Sequence, residues 1–487
     1  MAIHRSKMLS RVALAAALWV FCAQEMRPAR EAVESDAGLA DAICPIVYPL
    51  DQQAGEKGYH YIFYGNGFFI NKDGYLITAA HVLSQLREGP AFVLLRLPMA
   101  PPRLVEVKVV AQDKEHDVAV MRATPNPFEG KYEVKYLRLA TDWPQQAQAV
   151  LAAAARPSRL KNPRSFDWLR QDRPSGVVVG FQFEQLEKGS RDTELFLFNH
   201  AVLLGESGAP VVSTETKAAI GIVEGQWRHM NPLPPAGAMA VQDPGIGAAL
   251  PIHYAIALLL QEGISWQRAG EASAGAAAER ASEEKENAVP LPLSLVTAPF
   301  PPNALVGSEV VLDARVDSSG RISDIHVLGG EKAFAEKAVS AVETWSFKPA
   351  RVKGKAVEAR VGITFQFAGA VPSAKEHATH EYGKLLRDAP ERGALPVVTV
   401  EADPRLTKTV EGSVVLSAQV DEKGEASAIQ VLRGMDPATM ATREAVKQWK
   451  FEPGKRGGVE TESLAIVVAT YRRVVVIEEV PPGKAPH

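Results

Sequence analysis

Residues 203–211 read Leu203-Leu204-Gly205-Glu206-Ser207-Gly208-Ala209-Pro210-Val211, and the reading of this stretch decides the fold. A serine stands between two glycines. Glycine lets backbone N–H groups turn toward one point and lets another chain come close. A serine nucleophile needs both, because peptide N–H donors must face the charge that develops in the transition state. Taken alone, Gly205-Glu206-Ser207-Gly208 reads as a surface turn. The catalytic reading requires a base and an orienting acid elsewhere in the chain.

Upstream, short strand-like segments alternate with turns. Asn71-Lys72-Asp73-Gly74 carries the Asp-Gly hairpin signal. The returning strand, Tyr75–Thr78, delivers Ala79-Ala80-His81-Val82, in which a histidine at a strand end has room beside two alanines. Further on, Asp117 directly precedes the apolar run Val118-Ala119-Val120, and a carboxylate at the rim of an apolar interior needs a partner. His116, His200, His229 and His253 are scattered and read as structural or solvated. Many short Val-, Ile- and Phe-rich segments with little helix indicate an all-β barrel or sandwich over residues 40–266. The segments Arg156–Arg173 and Arg228–Asp243 read as loops, the second close to the site.

His81, Asp117 and Ser207 occur in the order His, Asp, Ser, whereas an α/β-hydrolase runs Ser, Asp, His. Gly65-Asn66-Gly67-Phe68-Phe69-Ile70, Asp73–Val82, Asp117–Val120 and Gly205-x-Ser207-Gly208-x-Pro210 together resemble the chymotrypsin-like serine proteases, most closely the HtrA-type branch. The resemblance implies a double β-barrel acting on protein or peptide substrates without a cofactor. It implies Ser207 as nucleophile, His81 as general base, Asp117 as the group that orients His81, and the N–H groups of Gly205 and Ser207 as the oxyanion hole. It also implies that Ala201 and Val202 approach the primary pocket. Two positions depart from the family pattern. Ala209 stands where a second glycine is usual, and Glu206 where Asp or Asn is more frequent.

The 487 residues suggest about three domains at roughly 150 residues each. A formal net charge of −3 gives no sign of a nucleic-acid partner. Only Cys22 and Cys44 are present, which excludes a disulfide framework and a cysteine zinc site. Residues 1–30 read as a signal peptide or signal anchor. His4, Arg5, Lys7 and Arg11 precede an apolar run from Val12 to Ala23. That run would rise about 18 Å as a helix, short of a bilayer core of roughly 30 Å. Export to a bacterial periplasm follows, with membrane contact only through this segment.

Residues 267–290 form an Ala/Glu-rich linker. Beyond it the chain repeats itself at a spacing of 104 residues. Val310-Val311-Leu312 recurs as Val414-Val415-Leu416, and Val316-Asp317-x-x-Gly320 as Val420-Asp421-x-x-Gly424. Ile325-x-Val327-Leu328 recurs as Ile429-x-Val431-Leu432, and Trp345-x-Phe347-x-Pro349 as Trp449-x-Phe451-x-Pro453. Each copy reads strand, strand, helix, strand, with helices over Ala333–Thr344 and Ala438–Gln448. The copies, 291–370 and 395–475 with a linker at 371–394 and a tail at 476–487, resemble the TonB C-terminal domain family. That family is a small α+β module of β-β-α-β order. The resemblance implies binding of envelope proteins by these copies. A non-catalytic periplasmic adaptor and a TonB-like transducer are the alternatives to an exported endopeptidase.

Overall fold

Tyr75-Leu76-Ile77-Thr78-Ala79 is β-branched and apolar with a turn on its N-terminal side, and it forms a strand (β3) at the centre of the first of two closed barrels. The structure, a computed structural model, describes residues 32–472 apart from 34, 51–59, 87–89, 97–101, 131, 133, 158–165, 168–174, 187–189, 231–239, 270–286, 303, 305–306, 369–377, 380–381, 387–388, 400–410 and 436–437. The signal segment at 1–30 and the tail at 476–487 therefore lie outside the described residues, as does most of the Ala/Glu-rich linker.

The first barrel closes in the order β1 (Ile43–Leu50), β2 (His60–Phe69), β3, β6 (Val118–Thr124), β5 (Arg103–Asp113), β4 (Ala91–Leu95). Its interior is filled by Ile46, Phe68, Ile77, Val93 and Val120, all fully buried. Cys44 lies inside this barrel, and burial pushes its thiol pKa up. The second barrel uses β7 (Ala149–Ala152), β10 (Gly176–Glu184), β11 (Thr193–Phe198), β12 (Pro210–Ser213), β13 (Ala219–Met230) and β14 (Ala240–Pro251). Between β7 and β10 a short pair, β8 (Arg156–Pro157) with β9 (Phe166–Asp167), replaces part of the loop expected there. The segment 228–243 is likewise less of a loop than its Pro and Gly content suggests. Arg228–Met230 pair with Ala240–Gln242, and only 231–239 fall outside the described residues. Gln267 and Ala269, assigned to the linker on composition, instead pair with Leu139 of this domain.

The fold is thus mostly β: a chymotrypsin-like double barrel followed by two small α+β modules. In the first module the strands are β15 (Leu291–Ser294), β16 (Ser308–Val316), β17 (Ile322–Gly329), β18 (Ser346–Lys348), β19 (Ala350–Val352), β20 (Lys355–Val357) and β21 (Ala359–Ala368), with the helix Lys332–Val342 after β17. After β22 (Ala378–Thr379), the second has β23 (Leu395–Thr399), β24 (Gly412–Val420), β25 (Ala426–Arg433), β26 (Lys450–Glu452), β27 (Gly454–Arg456), β28 (Val459–Thr461) and β29 (Ser463–Tyr471), with the helix Ala438–Val446 after β25. The two modules share one six-stranded sheet, ordered β17-β16-β21-β29-β24-β25, joined by parallel pairing of β21 with β29. Side chains on a strand alternate between faces. Leu464, Ile466 and Val468 of β29 therefore join the core of the first module, and Ala465, Val467 and Ala469 that of the second. All of β29 is buried, as its unbroken apolar run requires when both faces are covered.

The modules are packed against the protease-like barrels rather than hung from them. The apolar residues Leu295, Val296 and Ala298 belong to a core continuous with that of the barrels. Arg433, at the end of β25, reaches Glu194 on β11 at 2.5 Å, with both side chains 1 % exposed. Its guanidinium lies 4.0 Å from the Phe181 ring centroid and 5.0 Å from that of Trp143. The hydroxyl of Thr297 donates to the other Glu194 oxygen at 2.9 Å. Lys337–Asp192 and Arg191–Glu343 ion pairs flank this buried contact.

Candidate active site

His81 is in the first turn of a short helix, Ala80–Ser84, that begins where β3 ends. Asp117 occupies the residue before β6, the strand that pairs with β3. Its φ of 55° lies in the left-handed region, which Asp tolerates better than most residues. In that conformation the Asp117 carboxylate grips His81 twice. Oδ2 lies 2.7 Å from Nδ1 of the ring, and Oδ1 accepts the His81 backbone N–H at 2.6 Å. The Asp117 carbonyl accepts the N–H of Ala80 as well. Asp117 is 7 % exposed, so this hydrogen-bonded pairing answers the cost of burying its carboxylate.

Burial of the His81 ring disfavours its charged form. The hydrogen bond and charge of Asp117, with the charge of Glu224, outweigh that and raise its pKa. The stability gained from charged His81 is accordingly complete below its unfolded pKa and is lost as pH rises through the folded value.

Ser207 reaches the same cleft from the second barrel. Leu203–Glu206 form a turn closed by the Glu206 N–H on the Leu203 carbonyl at 3.0 Å, with Gly205 at φ 91°. A type II turn requires a positive φ at its third residue, which glycine supplies. Among the described residues the N–H groups of Gly205 and Ser207 have no hydrogen-bond partner, which leaves them available as donors. The Glu206 side chain is buried and folds back to accept the Leu203 N–H at 2.9 Å, and Arg156 lies 3.7 Å from its other oxygen. Glu206 thus braces the Ser207 loop from within. Ala209 is fully buried and its φ is not positive, so the loop does not require glycine there.

Asn66 ties the loop to both barrels. This fully buried residue of β2 donates to the carbonyls of Gly205 (2.9 Å) and Ala155 (3.1 Å), and accepts the Ala155 N–H at 2.9 Å. Its own N–H donates to the Ser207 carbonyl at 2.8 Å. A buried amide with all of these bonds made fixes the loop in one position.

Gly208 makes the close approach possible. A Cβ there would fall 2.2 Å from the Asn66 carbonyl and 2.4 Å from Thr78 Oγ1, at a φ of 80°. Gly208→Ala is expected to lower the melting temperature by several degrees, a cost of about 2 kcal/mol or more. It should also displace Ser207; thermal denaturation followed by circular dichroism checks the first effect.

The Ser207 hydroxyl donates to the backbone carbonyl of Glu224 at 3.0 Å, and no hydrogen bond joins it to His81. The expected serine–histidine hydrogen bond is therefore not made, although both side chains flank Glu224. His81, Asp117 and Glu224 bring one nitrogen and two carboxylates within 4.8 Å of one another. Asp117 spends both oxygens on His81, so the group reads as an ion-paired imidazole. Ala201 is exposed, whereas Val202 is buried against Gly247 and belongs to the barrel core. His116 stacks on Tyr254 and bonds Asp113, and His253 stacks on Trp143 with its pKa pushed down to about 4 by burial. Both have structural partners, and the side chain of His229 lies outside the described residues.

Residues 65–222 match the family of trypsin-like peptidase domains. Residues 306–368 and 407–471 each match the C-terminal domain of the Gram-negative bacterial TonB protein. The chain carries a trypsin-like peptidase domain followed by two TonB C-terminal domains. The peptidase domain is similar to human serine protease HTRA3, at 26% identity over 160 residues, which is 32% of this chain and 32% of that protein. The match therefore spans about a third of the length of this curated relative. Among solved structures, the HtrA-type protease AlgW with a decapeptide aligns with 45% of this chain and 64% of its own, at 17% identity and a TM-score of 0.33. Deg5 aligns with 45% of this chain and 88% of its own, at 19% identity and a TM-score of 0.31.

The sequence reading gave no role to Glu224, Arg156 or Asn66. Asn66 stands inside the quoted Gly65-Asn66-Gly67 pattern, and Glu224 precedes a glycine within a strand, which is a bulge signal.

Proposed function

We propose that the chain is an exported serine endopeptidase whose Ser207, His81 and Asp117 act as a triad. Asp117 holds the His81 tautomer with Nδ1 protonated, leaving Nε2 to take the Ser207 proton as Oγ attacks a peptide carbonyl. The proton then passes to the leaving amine. The N–H groups of Gly205 and Ser207 receive the oxyanion. A rotation about the Ser207 Cα–Cβ bond takes the hydroxyl from the Glu224 carbonyl toward His81, a change between staggered wells. The observation that carries this reading is the two-point grip of Asp117 on His81, which a surface histidine does not need.

The TonB C-terminal domains would dock the enzyme on envelope proteins or control access to it, since they are packed on the strand that leads into the nucleophile loop. A non-catalytic peptide-binding adaptor is the second reading, favoured by the Ser207 hydroxyl resting on the Glu224 carbonyl. Incubation with an unfolded protein such as reduced casein separates the two. The wild-type chain is expected to produce fragments and His81→Ala none, whereas intact casein with wild-type chain at every pH from about 6 to 9 supports the adaptor.

A further inference from the structure

Glu224 occupies an irregular position in its strand. On one side β13 pairs with β14 as Val223↔Ala249 and Gly225↔Ala248, so the register of the ladder shifts at Glu224. One extra residue opposite none is a β-bulge, which bends the strand and re-aims the side chain. The bulge has two consequences at one place. The Glu224 carbonyl receives the Ser207 hydroxyl at 3.0 Å. The Glu224 carboxylate comes within 4.8 Å of a ring nitrogen of His81 and of the Asp117 carboxylate. Gly225 follows, and neither crowding nor a positive φ requires glycine there: a Cβ added to it would meet nothing within 4 Å.

We propose that Glu224 is a positioning residue of the site, a second carboxylate that sets the pH range in which His81 can act as a base and whose backbone parks the Ser207 hydroxyl between turnovers. The inference deepens the endopeptidase reading and rests on it for its functional meaning. The charged groups acting on His81 are Asp117, from the turn before β6, and Glu224, from β13; Ser207 contributes a neutral hydroxyl. Two negative neighbours stabilise the imidazolium more than one does. That helps the transition state, in which His81 carries the proton. It also keeps the resting ring protonated to a higher pH, where it cannot accept the serine proton. Activity should therefore rise only as pH climbs through the raised His81 value. Loss of the Glu224 charge should shift that rise to lower pH.

The test reads His81 directly and does not depend on turnover. The full chain, labelled at histidine, is titrated by NMR, with the His81 signal assigned by its loss in His81→Gln. The midpoint is expected to move to lower pH in Glu224→Gln and also in Glu224→Thr, which suits a strand if the first variant folds poorly. It should stay in place in Glu262→Gln, a change on the exposed far end of the helix His253–Gln261. A midpoint unchanged in both Glu224 variants overturns the proposal. Because His81 titrates whether or not Ser207 hydrolyses peptides, failure of the endopeptidase reading would show instead as absent casein cleavage beside an intact midpoint shift.

Discussion

Ser207→Ala is expected to abolish hydrolysis while leaving the chain folded and as stable as wild type. The loss should be roughly 10⁴- to 10⁶-fold in kcat, the range over which a serine nucleophile is worth its whole catalytic unit. The fold should tolerate the change because the hydroxyl makes one hydrogen bond, to the Glu224 carbonyl. Asp117→Asn should cost about 10⁴-fold by disfavouring the productive His81 tautomer. Its effect on stability is larger, because it removes the carboxylate charge that pairs with the His81 ring at 2.7 Å. His81→Ala combined with Ser207→Ala should be little worse than either alone, since residues acting as a unit are not additive. Rates on one peptide substrate for the three single variants and this double variant, with thermal unfolding of each, would check the pattern. Near-additive losses would contradict a shared mechanism.

Arg433→Ala is expected to be the most damaging change outside the site. It leaves the buried Glu194 without the cation that now stands over the Phe181 and Trp143 rings. Breaking one partner of a buried pair costs about 3–5 kcal/mol. Replacing both partners, as in Arg433→Met with Glu194→Gln, should cost less than Arg433→Ala because no uncompensated charge remains. The consequence is also functional. Glu194 is on β11, and the same strand runs through Phe198 toward the turn that carries Gly205 and Ser207. Loosening the clasp should therefore lower activity as well as the melting temperature. Differential scanning calorimetry together with casein hydrolysis would test this. An unchanged melting profile in Arg433→Ala would mean that the TonB C-terminal domains do not depend on this contact for their place on the barrels.

Much of this architecture was legible in the sequence, for reasons that differ by element. The β3 strand and its hairpin are local features, set by β-branched residues and by Asp73-Gly74. The modules were legible through their 104-residue register, because the same strand and helix patterns occur twice. What the register did not reveal is that the copies pair with each other. The apolar run of β29 fits a strand covered on both faces once its neighbours are seen, but nothing local names them. Composition marked 267–290 as a tether, yet Gln267 and Ala269 pair with Leu139. Long-range packing decides these cases, and it leaves little trace in a window of ten residues.

The clasp itself did leave a trace. At the repeat spacing Arg433 corresponds to Gly329, so the copies differ by a charge at an otherwise matched strand end. The partner of that charge lies 239 positions away, which only the fold discloses. At the site, residue order identified His81, Asp117 and Ser207 as candidates, and the structure puts Asp117 on His81. The parked Ser207 hydroxyl and the second carboxylate, Glu224, depend on a β-bulge. A one-residue irregularity of that kind changes which way a side chain faces without changing the apolar pattern of its strand.

An activated Ser207 should react where an ordinary serine does not. Its most direct test is labelling of the folded chain with a peptidyl phosphonate, followed by mass spectrometry of the modified peptide. A stable adduct is expected on Ser207, one that disappears in Ser207→Ala and is strongly slowed in His81→Ala. No adduct on Ser207 after prolonged incubation at about pH 8, above the ordinary titration range of histidine so that the ring is free to accept a proton, in protein shown to be folded, would rule that reading out.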